Sequence, residues 1–486
     1  MIRLCLNEEI FEYDIYSLIK AFYPEESISR EENSKEVQFI VEVNYEPSQI
    51  EIIFKEYELN QEAALERISA AETISIENLD RKETKNVLKK GLYKLLAERT
   101  NKELPWGTLT GIRPTKIPYA MVSDGMTVEA IKESMKETYL ASDEKIELCI
   151  DIAKKEQKII DRIDLENGYS LYVGIPFCPT TCLYCSFTSY PIARWEKRVD
   201  EYLDALDKEI EYIAERMKSR RLNTLYIGGG TPTTLNPTQL ERLLSKLTSI
   251  FDLSNNQEFT VEAGRPDSLS DEKFKVMKKY GVSRISINPQ TMKQETLDLV
   301  GRMHTVEQTL EAFYCARDNG FDNINMDLIV GLPGETKNDM KNTLEAILKL
   351  RPDSLTVHSL AIKRASRLNI LREQYKDYIS LNTEEISDMV EAYAKEMDMK
   401  PYYLYRQKNM TGNLENVGYA RLDKEGIYNI LIMEEKQTIF ALGAGGATKI
   451  VYPDGQRIER IENVKSVDSY IDRVDEMIER KNKIFI

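Results

Sequence analysis

Between residues 166 and 365 the chain alternates strand and helix patterns six times, which predicts an α/β fold with a parallel sheet covered by helices. Six strands are too few to close an eight-stranded barrel. The expected core is therefore a partial, six-stranded parallel β/α barrel. An α+β pattern precedes it and another follows, with no repeat, low-complexity tract or long linker between them. The expected domains are a small α+β domain over 1–75, a helical connecting region over 76–165, the barrel over 166–365, and an α+β domain over 366–486 covering its open end.

Each element has a local reason. "IRLCLN", "VQFIVEVNY" and "QIEIIFKEYE" alternate as strands around the helix "YDIYSLIKAFY". "RKETKNVLKKGLYKLLAERT" is an amphipathic helix whose basic face reads as a solvated surface. In the barrel, "YSLYVGIPF" (169–177) is the first strand, and Leu203, Leu206, Ile210, Ile213 and Met217 recur at helical steps after it. "TLYIGGG" (224–230) is the second strand, and Asn236-Pro237 starts the next helix. "FTVEAG" (259–264), "RISINPQ" (284–290), "INMDLIVGLP" (324–333) and "SLTVHSLA" (354–361) complete the six. Past 366, "TEEISDMVEAYAKEMDM" and "VDSYIDRVDEMIERKNK" read as helices, while "YYLYRQKN" and "GIYNILIMEEKQTIFALGAGGATKIVY" read as strands and glycine turns.

Composition narrows the function. The 486 residues are 42% hydrophobic and 30% charged, with a net charge of −15. That balance argues against a general nucleic-acid binder. No apolar run reaches about 18 residues, so no membrane span is expected. The first residues lack a signal-peptide pattern. The expected location is cytoplasmic, where thiols stay reduced. Cys5, Cys149 and Cys315 are scattered and read as small buried hydrophobes.

The other three cysteines, Cys178, Cys182 and Cys185, crowd into "CPTTCLYC". A structural zinc site takes four ligands, usually in two pairs, and no second pair exists. A redox CxxC takes two cysteines. Three thiolates in one loop suit three irons of a 4Fe–4S cluster, leaving the fourth iron open.

Cys-x3-Cys-x2-Cys with Tyr184 before the last cysteine resembles the signature of the radical S-adenosylmethionine (SAM) superfamily, whose core is a partial barrel. The resemblance implies a 4Fe–4S cluster on Cys178, Cys182 and Cys185. It also implies one SAM chelated to the open iron, with a second left open, an external one-electron donor, and release of a 5′-deoxyadenosyl radical.

Further residues follow by the same resemblance. Gly228, Gly229 and Gly230, with Thr231 beside them, match the glycine motif that meets the SAM amino group. Glu262 ends the third strand, where a carboxylate suits a cationic amine or hydroxyl. Gln290 matches a ribose contact, Arg302 a partner of the SAM carboxylate, Asp327 a ribose ligand, and Ala361 a backbone contact with adenine. Read alone, the glycines are also a tight turn, Glu262 an ion-pair partner and Arg302 a solvated helix-end charge. His304 and His358 read as structural or supporting residues.

The series "YVGIPFC", "GGGTP", "NPQ…GRMHT", "DLIVGLPGET" and "LGAGGATK" is similar to the oxygen-independent coproporphyrinogen III oxidase-like group over residues 168–450. "LPWGTLTGIRPTKI" and "YYLYRQKNMTGNLENVGYA" resemble its HemZ-type dehydrogenase branch. The implied reaction is anaerobic oxidative decarboxylation of coproporphyrinogen III propionates to vinyl groups, giving protoporphyrinogen IX, by a monomeric enzyme. Tyr172 keeps the family position before the cluster and is the candidate catalytic residue. Arg406, Lys408, Arg113 and Arg364 are candidate substrate cations. Two departures stand out: Gly174 replaces a histidine, and Phe187 replaces a further cysteine, as in haem-chaperone relatives. A haem-binding chaperone, another radical reaction on a tetrapyrrole, and RNA modification are the alternatives, the last disfavoured by the acidic charge.

Overall fold

The computed structural model describes residues 1–31, 37–60, 63–111, 113–363, 365–375, 383–406, 414–452 and 457–485. The chain divides into two units, Met1–Lys154 and Lys155–Ile486.

In the first unit the alternating segments form β1 (Ile2–Leu6), α1 (Glu12–Phe22), β2 (Ile28–Ser29), β3 (Phe39–Tyr45), β4 (Gln49–Asn60) and β5 (Ala63–Ser75), in the sheet order β2-β1-β3-β4-β5. Phe39, Val41 and Val43 on β3 and Ile50, Ile52 and Phe54 on β4 bury one face. Against them pack Ile15, Leu18 and Phe22 of α1 and Leu88, Leu92 and Leu96 of α2 (Arg81–Thr100). A capping box of Asp80 and Glu83 starts α2. Its basic face is partly neutralised: Arg99 pairs with Glu56, and Lys94 lies 3.9 Å from Glu72. The sequence pattern did not reveal β5. Its Ala, Ser and Glu residues have little strand propensity, and pairing along β4 makes it a strand. α3 (Lys116–Ser123) and α4 (Val128–Tyr139) follow, and the division between units falls within α5 (Asp143–Ile160).

In the second unit β6 (Gly168–Ile175) leads to two short strands, β7 (Phe177–Cys178) and β8 (Tyr190–Pro191), then α6 (Val199–Arg216), β9 (Arg221–Gly229), α7 (Pro237–Ile250), β10 (Glu258–Glu262), α8 (Asp271–Lys279) and β11 (Arg284–Ser286). Next come α9 (Gln294–Leu299), α10 (Val306–Asp318), β12 (Ile324–Val330), α11 (Lys337–Leu350) and β13 (Ser354–Ser359). The six predicted strands pair in parallel in the order β6-β9-β10-β11-β12-β13. Asn236 caps α7 with Pro237 in its first turn, as its sequence requires.

The remaining segments are α12 (Arg367–Ile370), α13 (Arg372–Tyr375), α14 (Glu384–Glu396), β14 (Lys400–Tyr405), β15 (Asn416–Ala420), α15 (Ile427–Glu434), β16 (Ile439–Leu442), β17 (Ala447–Val451), β18 (Ile458–Glu462), α16 (Val467–Asp472) and α17 (Val474–Asn482). Their strands extend the barrel sheet. β16 adds a seventh parallel strand beside β6, and β15 joins β13 antiparallel. "IYNILIME", expected as strand, is the helix α15. Its apolar run has no clean period, and the left-handed Glu435 (φ 52°) ends it. Of the scattered cysteines Cys149 is buried as expected, whereas Cys5 and Cys315 are half-buried.

Alternate strand residues face the barrel lumen, which is polar and internally bonded. Thr224 Oγ1 donates to Ser170 Oγ at 2.7 Å and Ser354 Oγ to Asn325 Oδ1 at 3.0 Å. Behind the sheet, Lys481 Nζ of α17 meets Glu209 Oε1 of α6 at 2.5 Å, both side chains fully buried. Gly443 N, Tyr470 Oη and Asn463 Nδ2 also donate to Glu209. Removing one partner strands a buried charge. Lys481→Met is expected to lower stability by about 3–5 kcal/mol, read as a fall in the urea midpoint, with part of the loss recovered by adding Glu209→Gln.

Candidate active site at the mouth of the barrel

The cysteine loop leaves β6 and is pinned along its length. Phe177 is buried against the Tyr202 ring, 5.3 Å between centroids. Tyr190 N donates to Pro176 O at 2.8 Å, Leu183 N to Val300 O at 2.9 Å, and Leu368 N to Leu183 O at 2.8 Å. Thr180 Oγ1 adds a bond to Gly301 O at 2.8 Å. Cys178, Cys182 and Cys185 are all free thiols; Cys182 and Cys185 act electrostatically on Cys178, and Cys182 on Cys185. Thr231 Oγ1 donates to Cys178 Sγ at 3.5 Å, and Arg265 Nη1 to Cys182 Sγ at 3.7 Å. Burial pushes the Cys178 thiol up to about 11 and also raises Cys185, which the Phe187 backbone N–H partly offsets. Among the described residues no three His, Cys, Asp or Glu side chains converge on a single ion. A cluster takes one thiolate per iron, so its ligands need not converge.

The thiols open into a cavity of about 740 Å³ that Tyr172, Gly229, Gly230, Thr231, Glu262, Gln290, Arg302, Asp327 and Ala361 also line. Gly228 adjoins it. A Cβ there would lie 2.9 Å from the Glu262 carboxylate, and one on Gly230 would lie 2.5 Å from Phe177 O and 3.0 Å from Cys178 Sγ. Gly229 adopts φ 112°, which side chains disfavour. Gly174 faces a second glycine turn, where its Cβ would stand 3.2 Å from Leu442 O. A side chain at 174 therefore requires the 442–446 turn to give way.

Two carboxylates stand on β10 and β12, with β11 between them, and have opposite biases. Burial pushes Glu262 up to about 7, while the Tyr226 hydroxyl donates to its Oε1 at 2.5 Å. Burial also opposes ionisation of Asp327, but the nearby His358 imidazole and the hydrogen bond from Asn325 outweigh it and hold the group below the usual range. His358 is thus a supporting residue, 3.9 Å from Asp327. His304 is fully buried and lies deeper, held neutral by burial at about 3. Tyr172, Tyr226 and Tyr428 stack across the lumen, with 4.3 Å between the Tyr226 and Tyr428 ring centroids.

Gln290 sits in the left-handed region at φ 66°, its N bonded to Asp327 O and its O to Ile329 N. A non-glycine residue held there is strained, as at many functional sites. Arg302 is buried. Its Nη2 donates to Gly264 O and Asn288 O, both at 2.7 Å, and its Nη1 to Tyr184 Oη at 3.2 Å. It is therefore a clamp on the cluster loop as well as a cation in the cavity.

Of the expected substrate cations, Arg406 is buried and does not line the cavity, and Arg113 belongs to the first unit. Arg364 and Lys408 lie outside the described residues. Lys363 and Lys465 line the cavity instead, with Lys363 Nζ 5.6 Å from the centroid of the exposed Phe187 ring. Sequence reasoning missed these lysines, together with Arg265, Tyr226 and Tyr428. Arg265 lay within the quoted "VEAGRPD", but nothing local showed that it turns toward Cys182.

The residues fit a thiolate-bound cluster with an adjoining nucleoside. Soft donors suit iron–sulfur chemistry, and the glycines leave room beside Cys178. Ser286 Oγ, Asn288 Oδ1, Gln290 Oε1 and Arg302 Nε line the cavity, buried and without a partner, as groups awaiting a polar ligand do. Gly230→Ala is expected to cost about 1–3 kcal/mol of local strain and to displace Cys178. Iron per reconstituted chain should then fall while far-ultraviolet circular dichroism stays unchanged.

Comparison with known proteins agrees with this geometry. Residues 172–347 match the model of the radical SAM superfamily. The chain is 43% identical to the oxygen-independent coproporphyrinogen-III oxidase-like protein HemZ of Bacillus subtilis, over 83% of this chain and 81% of that one. It is 33% identical to the heme chaperone HemW of the same organism, over 63% and 76%. The solved coproporphyrinogen III oxidase HemN of Escherichia coli, a radical SAM enzyme, superposes with a TM-score of 0.51 at 25% identity, covering 66% of this chain and 73% of that one. The chain belongs to the radical SAM superfamily, in the group of HemN- and HemZ-like proteins.

Proposed function

We propose that the protein oxidatively decarboxylates two propionate side chains of coproporphyrinogen III to vinyl groups, in oxygen-independent haem biosynthesis. Its cofactors are those of its superfamily, a 4Fe–4S cluster and SAM. Bound together and reduced by an external donor, they supply a 5′-deoxyadenosyl radical that takes a hydrogen atom from carbon. Each substrate propionate then loses carbon dioxide and one electron to an external acceptor.

The observation that carries this reading is a single cavity joining the three thiols to a tyrosine wall and two outer lysines. In this reading Cys178, Cys182 and Cys185 hold the irons. Gly228, Gly229, Gly230, Thr231 and Glu262 receive the SAM amino group, and Arg302 Nε its carboxylate. Gln290 and Asp327 take the ribose, and adenine lies against Ala361. Glu262 near 7 exchanges a proton close to neutral pH, and Asp327 stays ionised. Burial raises Tyr172 so far that its phenol stays protonated, able to donate a hydrogen bond toward the substrate. Lys363 and Lys465 bind substrate carboxylates, and the tyrosines give an apolar, water-poor face for the macrocycle.

A second reading, haem carriage without decarboxylation, is favoured by Phe187 and Gly174. Phe187 is 73% exposed at the cavity wall, a flat platform for a planar ring. An anaerobic assay with SAM, reductant and coproporphyrinogen III separates the two. The expected result is loss of two carboxyl groups with formation of 5′-deoxyadenosine, both abolished by Cys182→Ala. Stoichiometric haem binding with no vinyl product would support the carrier instead. Lys363→Met and Lys465→Met should each raise KM for the porphyrinogen about tenfold, the worth of one charge-assisted bond, with kcat little changed.

A further inference from the structure

Arg265 is 3% exposed, at the turn after β10. Its Nε and Nη2 form a two-pronged pair with Asp267, at 2.9 and 2.7 Å. The fork thus fixed aims Nη1 at the cysteine loop, where it donates to Thr180 Oγ1 at 3.1 Å and reaches Cys182 Sγ at 3.7 Å. Its charge also acts on Cys178. The donors to the other thiols are neutral: the Thr231 hydroxyl for Cys178 and the Phe187 backbone N–H for Cys185. Among the described residues Cys182 alone of the three receives a hydrogen bond from a cation, Arg302 acting on Cys182 and Cys185 through its charge only, and it is the most buried of the three. A guanidinium is charged at every relevant pH and planar enough to serve a carboxylate and a thiolate together.

We propose that Arg265 is a positioning residue that raises the reduction potential of the cluster through its charged N–H···S bond to Cys182, with Asp267 setting both its aim and the strength of its field. Reduction adds one electron, delivered by the external donor, to a centre buried in a chain of net charge −15. Hydrogen bonds to sulfur and nearby positive charge favour the reduced form, and supporting groups of this kind tune metal centres. Asp267 counters part of the charge while locking the rotamer. Removing the cation and removing its counter-ion should therefore move the potential in opposite directions.

The test is anaerobic potentiometry of the reconstituted full chain without substrate, following the reduced cluster by electron paramagnetic resonance, with iron content measured on the same samples. Arg265→Gln is expected to shift the midpoint to more negative potential, and Asp267→Asn to more positive potential. Arg265→Lys, which keeps the charge and loses the fork, should fall between wild type and Arg265→Gln. Midpoints that coincide with wild type at full iron loading overturn the proposal, as do shifts of the same sign in Arg265→Gln and Asp267→Asn. Failure of all three variants to hold iron would make Arg265 a structural support of the loop, which also overturns the tuning role.

Discussion

The last residues of β6 lie between Gly229–Gly230 on one side and Gly443–Ala444 on the other, closer than side chains would permit. A Cβ on Gly443 would fall 2.4 Å from Gly174 O, and one on Gly230 would fall 2.5 Å from Phe177 O. Backbone bonds from Gly230 N to Ile175 O and Thr231 N to Phe177 O secure the first approach. Tyr202 Oη secures the second, donating to Gly174 O and accepting from Ala444 N. The cysteine loop departs from this gripped segment, so the direction of Cys178 is set by two turns distant in sequence. The buried Glu209–Lys481 pair holds Gly443 in turn, which ties α17 to the site.

The lumen continues the same economy. A parallel barrel usually fills its interior with branched apolar residues. Here the upper layers are tyrosines, amides and carboxylates, which need partners to be buried. Most find them in neighbouring strands. Four unsatisfied atoms, Ser286 Oγ, Asn288 Oδ1, Gln290 Oε1 and Arg302 Nε, lie on the cavity wall between the end of β11 and the turn after α9. Glu262 and Asp327 diverge because burial and the Asp327 charge outweigh the donors beside Glu262, whereas the donors and the His358 imidazole beside Asp327 outweigh its burial. The cavity thus offers one carboxylate that titrates near neutrality and one that stays charged.

Much of this was legible in the chain. The six strands carry apolar residues and are separated by helices of clear period, one opened by Asn236-Pro237, so periodicity found them. The three cysteines announce their chemistry by residue type and spacing alone. What escaped was set by tertiary placement. α15 has an apolar run that suits strand or helix, and its period alone does not decide between them. β5 lacks strand-forming residues and takes its state from β4. Arg265, Lys363 and Lys465 look like any surface cation in sequence. Their meaning comes from a turn, a strand end and a loop meeting at one cavity. Arg406 shows the converse: a cation that reads as available in sequence is buried and does not line the cavity.

The central claim is that one cavity brings together the three thiols proposed to hold the cluster and the residues proposed to bind SAM. Electron paramagnetic resonance of the reduced, reconstituted chain, recorded with and without SAM, tests it most directly. If SAM ligates the open iron, its addition changes the g values and shape of the cluster signal at stoichiometric concentration. Identical spectra with saturating SAM would contradict the account, because they would separate the cluster from the pocket beside it.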